Sequence, residues 1–151
     1  MSDNYRQVFG EILADHHEAP RNWGTLPAPA KSEHGYNPLC GDKVNVCTLV
    51  TGEEGSKKLE KCSFEGEGCS ICMASASIMA SMVEGLSKDQ ALALIEAFRQ
   101  KMQGAETVDG LPPGDSGEDI SALYGVKRFP VRIKCALLPW TTLKKGLENA
   151  G

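Results

Sequence analysis

Three of the six cysteines in this 151-residue chain stand where the backbone bends, where a helix opens or where cations cluster, and they are far apart in sequence. They are Cys40 in PLCGD at 38–42, Cys69 in GEGCS at 66–70, and Cys135 in VRIKCA at 131–136. Gly41 permits a sharp turn, so the Cys40 thiolate and the Asp42 carboxylate can point at one centre. Cys69 follows Gly66 and Gly68 and opens a helix, where free N–H groups and the helix dipole favour a thiolate. Cys135 lies beside Arg132 and Lys134, cations that favour thiolate and steer an anionic partner. Three sulfurs and one oxygen suffice for tetrahedral zinc, at about 2.3 Å for sulfur and about 2.0–2.2 Å for oxygen. Either the fold gathers these stretches at one centre or they are three unrelated thiols; spacing alone does not choose, because no short zinc-finger pattern links them.

The second stretch continues as GEGCSICMAS, which puts Cys69 and Cys72 in a CxxC spacing shared by zinc knuckles, thiol redox motifs and ordinary helices. An oxidoreductase of thioredoxin type is disfavoured because no strand–CxxC–helix unit of that type is read around it. Composition narrows the setting. With 41% hydrophobic and 24% charged residues the chain reads as one domain with room for a core. The net charge is −4 and the basic residues are scattered, so the sequence offers no basic stripe for nucleic acid. No apolar run approaches the roughly 20 residues of a membrane span, and the polar N-terminal stretch MSDNYRQVFGEI lacks an apolar signal core. A cytoplasmic protein is expected, and in a reducing cytosol six cysteines point to metal ligands or reactive thiols rather than disulfides.

Periodicity predicts an α+β fold, with a small antiparallel sheet of about three strands packed against several helices. Tyr5, Val8, Phe9, Ile12 and Leu13 mark an amphipathic helix over 4–15. Residues 20–38 carry many turn formers and either wander or form a short strand. Val44–Val50 and Leu59–Phe64 read as an antiparallel hairpin across TGEEGS. Met73–Val83 is a small-residue helix stopping at Gly85. Ser87 and Gln90 form a capping box for a helix with Ala91, Ile95, Phe98 and Met102 as its stripe, closed by Gly104. An insertion is read over about 104–126, and a last helix over Leu137–Leu147 with Pro139 in its first turn.

The other candidates have simpler explanations. Cys47 and Cys62 fall on strands and behave as small hydrophobes. His16, His17 and His34 form no ligand pair with a cysteine, and Met73, Met79, Met82 and Met102 read as core filling. Asp42 alone is a turn former, and Lys134 alone is a solvated charge.

The stretches PLCGDKVNV, GEGCSICMASASIM and PVRIKCALLPW, in this order, resemble the three cysteine motifs of the IscU/NifU N-terminal family of iron–sulfur cluster assembly proteins, and HHEAPRNWG resembles that family's N-terminal His-x3-Pro-Arg-Asn-x-Gly segment. Lys134, where IscU proteins carry a histidine, and the insertion are similar to the SufU-type branch. The resemblance implies Cys40, Asp42, Cys69 and Cys135 as zinc ligands, with Cys40 or Cys135 as a catalytic sulfur acceptor. It implies persulfide sulfur taken from a PLP-dependent cysteine desulfurase of SufS type and passed to a downstream SUF-type scaffold or acceptor, in a carrier rather than a stand-alone enzyme. The alternatives are an IscU-like scaffold holding a [2Fe–2S] cluster or iron, and a purely structural zinc module. Cys72 stands where the family carries a small residue, which leaves it an inert packed thiol, an alternate ligand or a resolving thiol. The family's chaperone-docking Leu-Pro-Pro-Val-Lys has its Leu111-Pro112-Pro113 counterpart displaced into the insertion, so dependence on that chaperone is in doubt.

Overall fold

The computed structural model describes residues 3–104 and 114–149, with side chains described for all of these except 3–6, 8 and 114–118. Among the described residues the order is α1 (Asp3–Glu18), β1 (Lys31–Asn37), β2 (Asp42–Thr51), β3 (Lys58–Glu67), α2 (Ser70–Val83), α3 (Lys88–Met102), α4 (Gly114–Tyr124), a 3-10 turn (Gly125–Arg128) and α5 (Pro130–Asn149). The strands form one antiparallel sheet in the order β1-β2-β3, so the expected α+β architecture is present and the turn-rich stretch before Cys40 does supply a strand. Residues 105–113, within the expected insertion and including Leu111-Pro112-Pro113, lie outside the described residues.

β2 is the central strand, and its even positions alternate inward: Val44, Val46 and Thr48 are buried, with Val46 opposite Phe64 and Thr48 opposite Cys62 of β3. α2 is buried on nearly every side, as its run of Ala, Ser and Met allows, and it packs between α1 and α5. Its start at Ser70, capped by Cys69, agrees with Cys69 as a helix opener and extends the helix upstream of Met73. α3 carries the predicted capping box, with Ser87 Oγ accepting from Gln90 N–H and Gln90 Oε1 accepting from Ser87 N–H, both at 3.0 Å.

The last helix departs from expectation by starting at Pro130, about two turns before Leu137. Pro130 at the first helical position has no N–H to lose, and Cys135, Ala136, Trp140, Leu143 and Leu147 then form one buried stripe. Pro139 therefore sits inside the helix, where its missing N–H leaves the Cys135 carbonyl without its intrahelical donor. Burying that stripe against α2, β1 and β2 outweighs the lost bond.

HHEAPRNWG acts as a clamp. Ser77 Oγ on α2 accepts the Arg21 N–H at 2.8 Å and faces His16 Nδ1 at 2.7 Å, while His16 Nε2 meets Asp119 Oδ2 of α4 at 3.0 Å. Asn22 Nδ2 donates to the Cys62 and Ala80 carbonyls at 3.0 and 3.3 Å, and Gly24 N–H donates to the Phe64 carbonyl at 2.8 Å. His16 is thus a buried strut between three helices.

Candidate metal centre

The site follows from three local structures. In the first, Asn37 and Asp42 are the terminal register pair of the β1–β2 hairpin, closed by Pro38-Leu39-Cys40-Gly41. Gly41 takes a φ of +70°, the left-handed conformation such a connection demands, and this sets Cys40 at the hairpin tip and Asp42 at the foot of β2. In the second, the end of β3 runs beside the start of β2, with Lys43 opposite Glu67, so the chain passes Asp42 before entering α2. Gly68 makes that passage possible, because a Cβ there would stand 2.6 Å from Asp42 Oδ1. The Cys69 N–H donates to Asp42 Oδ1 at 2.7 Å, a charge-assisted bond that orients the carboxylate. In the third, α5 crosses β1 and β2 and carries Cys135 in its second turn to the same place.

The Cys40 and Cys135 thiols and an Asp42 carboxylate oxygen lie within 4.8 Å of one another. Cys69 adjoins them through its backbone N–H, which holds Asp42 Oδ1, although its Sγ is not within that distance of every member. Of the four expected ligands, Cys40, Asp42 and Cys135 meet at one centre and Cys69 lies beside it. Cys135 and Asp42 have no exposed surface, whereas Cys40 and Cys69 are half-buried and form the accessible side. No histidine belongs to the cluster among the described residues. Lys134 is an exposed side chain of α5, in keeping with a solvated charge.

Burial pushes the Cys135 thiol well above its ordinary value, and hydrogen bonding with Asp42, Cys40 and Cys69 pushes the same way. Without a cation the pocket keeps that proton; a bound metal ion would reverse the preference. Burial works against the Arg132 guanidinium, yet its hydrogen bond to Cys135 and the nearby thiols of Cys69 and Cys40 outweigh this and raise its pKa. An open groove in front of Cys40 is lined by Leu39, Arg128, Phe129, Val131 and Arg132, with Leu39 72% and Val131 68% exposed.

The CxxC does not act as one unit here. Cys69 is the N-cap of α2 and its Sγ accepts the Cys72 N–H at 3.4 Å, while the Cys72 side chain is fully buried in the core. Burial, then the Asp42 carboxylate, raise the Cys72 pKa. The chain runs strand, CxxC, helix at this point, but within a wholly antiparallel sheet and with the second thiol buried in the core. The sequence reading does not single out Asn37, and takes Gly68 only as one of two glycines before Cys69. The dipeptide Asn37-Pro38, a turn-initiating pair, was the available signal for Asn37.

Fold and site together define a small α+β protein with a half-open thiol and carboxylate centre between a hairpin tip, a helix start and a second helix. The sequence model of the NifU-like N terminal domain family matches residues 8–136, and the chain belongs to that family. It is 40% identical over 146 residues to the zinc-dependent sulfurtransferase SufU of Bacillus subtilis, spanning 97% of this chain and 93% of that one. It is 35% identical over 143 residues to the iron–sulfur cluster assembly scaffold protein IscU of Streptococcus pyogenes, spanning 95% and 84%. A crystal structure from Fervidobacterium islandicum, described as an assembly scaffold for the SUF system, superposes with a TM-score of 0.81 at 32% identity, spanning 94% of this chain and 98% of that one. No helix among the described residues is long and apolar enough to cross a membrane.

Proposed function

We propose that this chain is a zinc-dependent sulfur-transfer protein of iron–sulfur cluster assembly, holding zinc with Cys40, Asp42, Cys69 and Cys135 and accepting sulfur on Cys40. The observation that carries the reading is the cluster of two thiols and a carboxylate within 4.8 Å, adjoined by a third thiol, with one of its thiols facing a groove. The donor set fits zinc: bonds near 2.3 Å ask for sulfurs about 3.8 Å apart, within reach of small side-chain rotations. When bound, zinc would hold the thiolates deprotonated at neutral pH.

The chain's own residues divide the work. Buried Asp42 and Cys135 anchor the centre, and Cys69 is tied to the helix start. Cys40 sits at a turn tip and is the thiol free to leave the cluster, which favours it over Cys135 as acceptor. Its thiolate sulfur attacks the outer sulfur of a persulfide on a PLP-dependent cysteine desulfurase of SufS type. The desulfurase S–S bond breaks, its thiolate leaves, and Cys40 carries the persulfide with no net oxidation. Arg132 offers a cation to the incoming anionic sulfur, and Leu39, Phe129 and Val131 offer an apolar rim to the partner. A SUF-type scaffold would then take the sulfur. A half-exposed ligand thiol also argues against a closed structural zinc module.

The test is metal analysis of anaerobically purified protein, followed by incubation with a cysteine desulfurase and cysteine and location of the added sulfur by mass spectrometry. Zinc near one equivalent and persulfide on Cys40, abolished by Cys40→Ser, are expected. A visible thiolate-to-iron absorbance with iron in place of zinc would instead assign the [2Fe–2S] scaffold role. Persulfide on Cys72 with a fully active Cys40→Ser variant would overturn the assignment.

A further inference from the structure

Asn37 lies at the end of β1, directly opposite Asp42, with its side chain buried to 7% relative exposure. Its Oδ1 accepts the Leu39 N–H at 3.3 Å, the two-residue Asx turn that bends the chain toward Cys40. That bond fixes which end of the amide is which and leaves the Nδ2 donors to the cluster. They lie 3.3 Å from Asp42 Oδ2 and 3.8 Å from Cys135 Sγ. The opposite carboxylate oxygen already takes the Cys69 N–H at 2.7 Å. Each oxygen of Asp42 therefore has one donor, and because a carboxylate offers about four lone-pair sites, Oδ2 keeps one free for a cation.

We infer that Asn37 is a positioning residue, whose amide holds the Asp42 carboxylate and the Cys135 sulfur at one centre and links both to the turn that carries Cys40. The inference rests on the metal-site reading above. It acts on the ligands and not on the transferred sulfur: an N–H donated to a carboxylate oxygen fixes its rotamer, and an N–H donated to a thiolate tempers its charge, which is how residues behind the ligands tune a metal site. Among the described residues no other side chain hydrogen-bonds Asp42, Cys135 and the hairpin tip together.

The discriminating variant is Asn37→Ser. A serine hydroxyl can still accept the Leu39 N–H and keep the turn, but it is too short to donate to Asp42 or Cys135. A role confined to shaping the turn would therefore leave the metal site unmoved. The readouts are zinc affinity, by competition with a chromophoric chelator, and the absorbance of the cobalt-substituted protein, whose ligand-field and thiolate charge-transfer bands report the ligand set. We expect zinc affinity to fall by about 10–100-fold, the usual effect of losing a group behind a ligand, with altered cobalt bands and a thermal midpoint of metal-free protein near that of the parent. Parent-like affinity and parent-like cobalt bands would overturn the inference. If Asn37→Ser fails to fold, Asn37→Thr likewise keeps a hydroxyl acceptor for the turn, lacks the same donors and is read in the same way. A parent protein that binds neither ion with thiolate bands would overturn the metal-site reading and this inference with it, whereas parent binding with unaffected variants removes this inference alone.

Discussion

Replacing Ser75 with alanine tests whether the two helices that carry Cys69 and Cys135 are held together by a polar stitch inside an otherwise apolar interface. Ser75 is fully buried on α2; its hydroxyl donates to the Ala136 carbonyl at 2.6 Å and accepts the Trp140 Nε1–H at 2.9 Å. Ala136 adjoins Cys135, and Trp140 stacks on Phe98 with centroids 4.3 Å apart, so the indole cannot turn to find a new partner without losing that stack. Within α5 the Ala136 carbonyl retains the helical position for the Trp140 backbone N–H, so its loss is the smaller one. The orphaned indole N–H costs about 1–3 kcal/mol and the lost second bond about 1 kcal/mol, giving about 2–4 kcal/mol. With about 2.1 cal/mol/K of unfolding entropy per residue, this corresponds to a fall in thermal midpoint of roughly 6–12 °C.

The assay is thermal and urea unfolding of metal-free protein, with Ser81→Ala as control because Ser81 donates only to the Ile78 carbonyl of its own helix from an exposed position. That control should shift stability by no more than about 0.5 kcal/mol. A double-mutant cycle sharpens the test: in a Trp140→Phe background the indole donor is gone, so Ser75→Ala should cost about 1–3 kcal/mol less than in the parent. A midpoint within about 2 °C of the parent, or a strictly additive cycle, would refute the reasoning.

Two further predictions concern buried titratable groups. Burial lowers the His16 pKa below its usual value, against the opposing influence of Asp119 and Asp15 and with that of Arg21. The unfolded chain therefore binds the extra proton first: the His16 contribution is complete above about pH 6.5, shrinks as pH falls below that value, and is gone once pH passes the lowered folded pKa. Urea midpoints measured from pH 8 to pH 5 should fall, and fall less steeply in His16→Asn; an unchanged slope in that variant would reject the assignment. For the thiols, burial pushes Cys72 and Cys62 upward, so brief alkylation of folded, metal-free protein should label Cys40 well before either. Cys72 labelling as fast as Cys40 would reopen its role as a working thiol.

Elements whose signals are local were legible in the sequence. The capping box at Ser87 and Gln90, the alternation through β2 and the turn-separated hairpin all form as their residues dictate. Pro139 misled because the reading placed it at a helix start, where a proline is cheapest. The apolar stripe from Cys135 to Leu147 continues across it, and burial against α2 and the sheet decides the boundary. The strand Lys31–Asn37 was legible only as an alternative, since its sequence KSEHGYN lacks an apolar period. Its inner side faces α5 through Gly35 and Glu33, and pairing with β2 supplies what composition does not.

The candidate site divides along the same line. Each of its cysteines advertised a local property, a turn, a helix start or neighbouring cations, but convergence is a matter of topology, which in this sequence only the order of three motifs hinted at. The convergence has a definite cause. A hairpin between β1 and β2 sets Cys40 and Asp42 at one corner of the sheet, the antiparallel β3 returns its end to that corner, and α5 packed across the strands reaches it with its second turn. Register in a half-buried sheet is strongly specified, because a slip of one residue would turn Val44 and Val46 outward along with Asp42. The packing that stabilises the fold therefore also aims the carboxylate. Cys72 obeys the same rule in the opposite sense: Cys69, the extended N-cap, stays half-buried at the opening, whereas Cys72, in the first turn of α2, is packed into the core with no exposed surface.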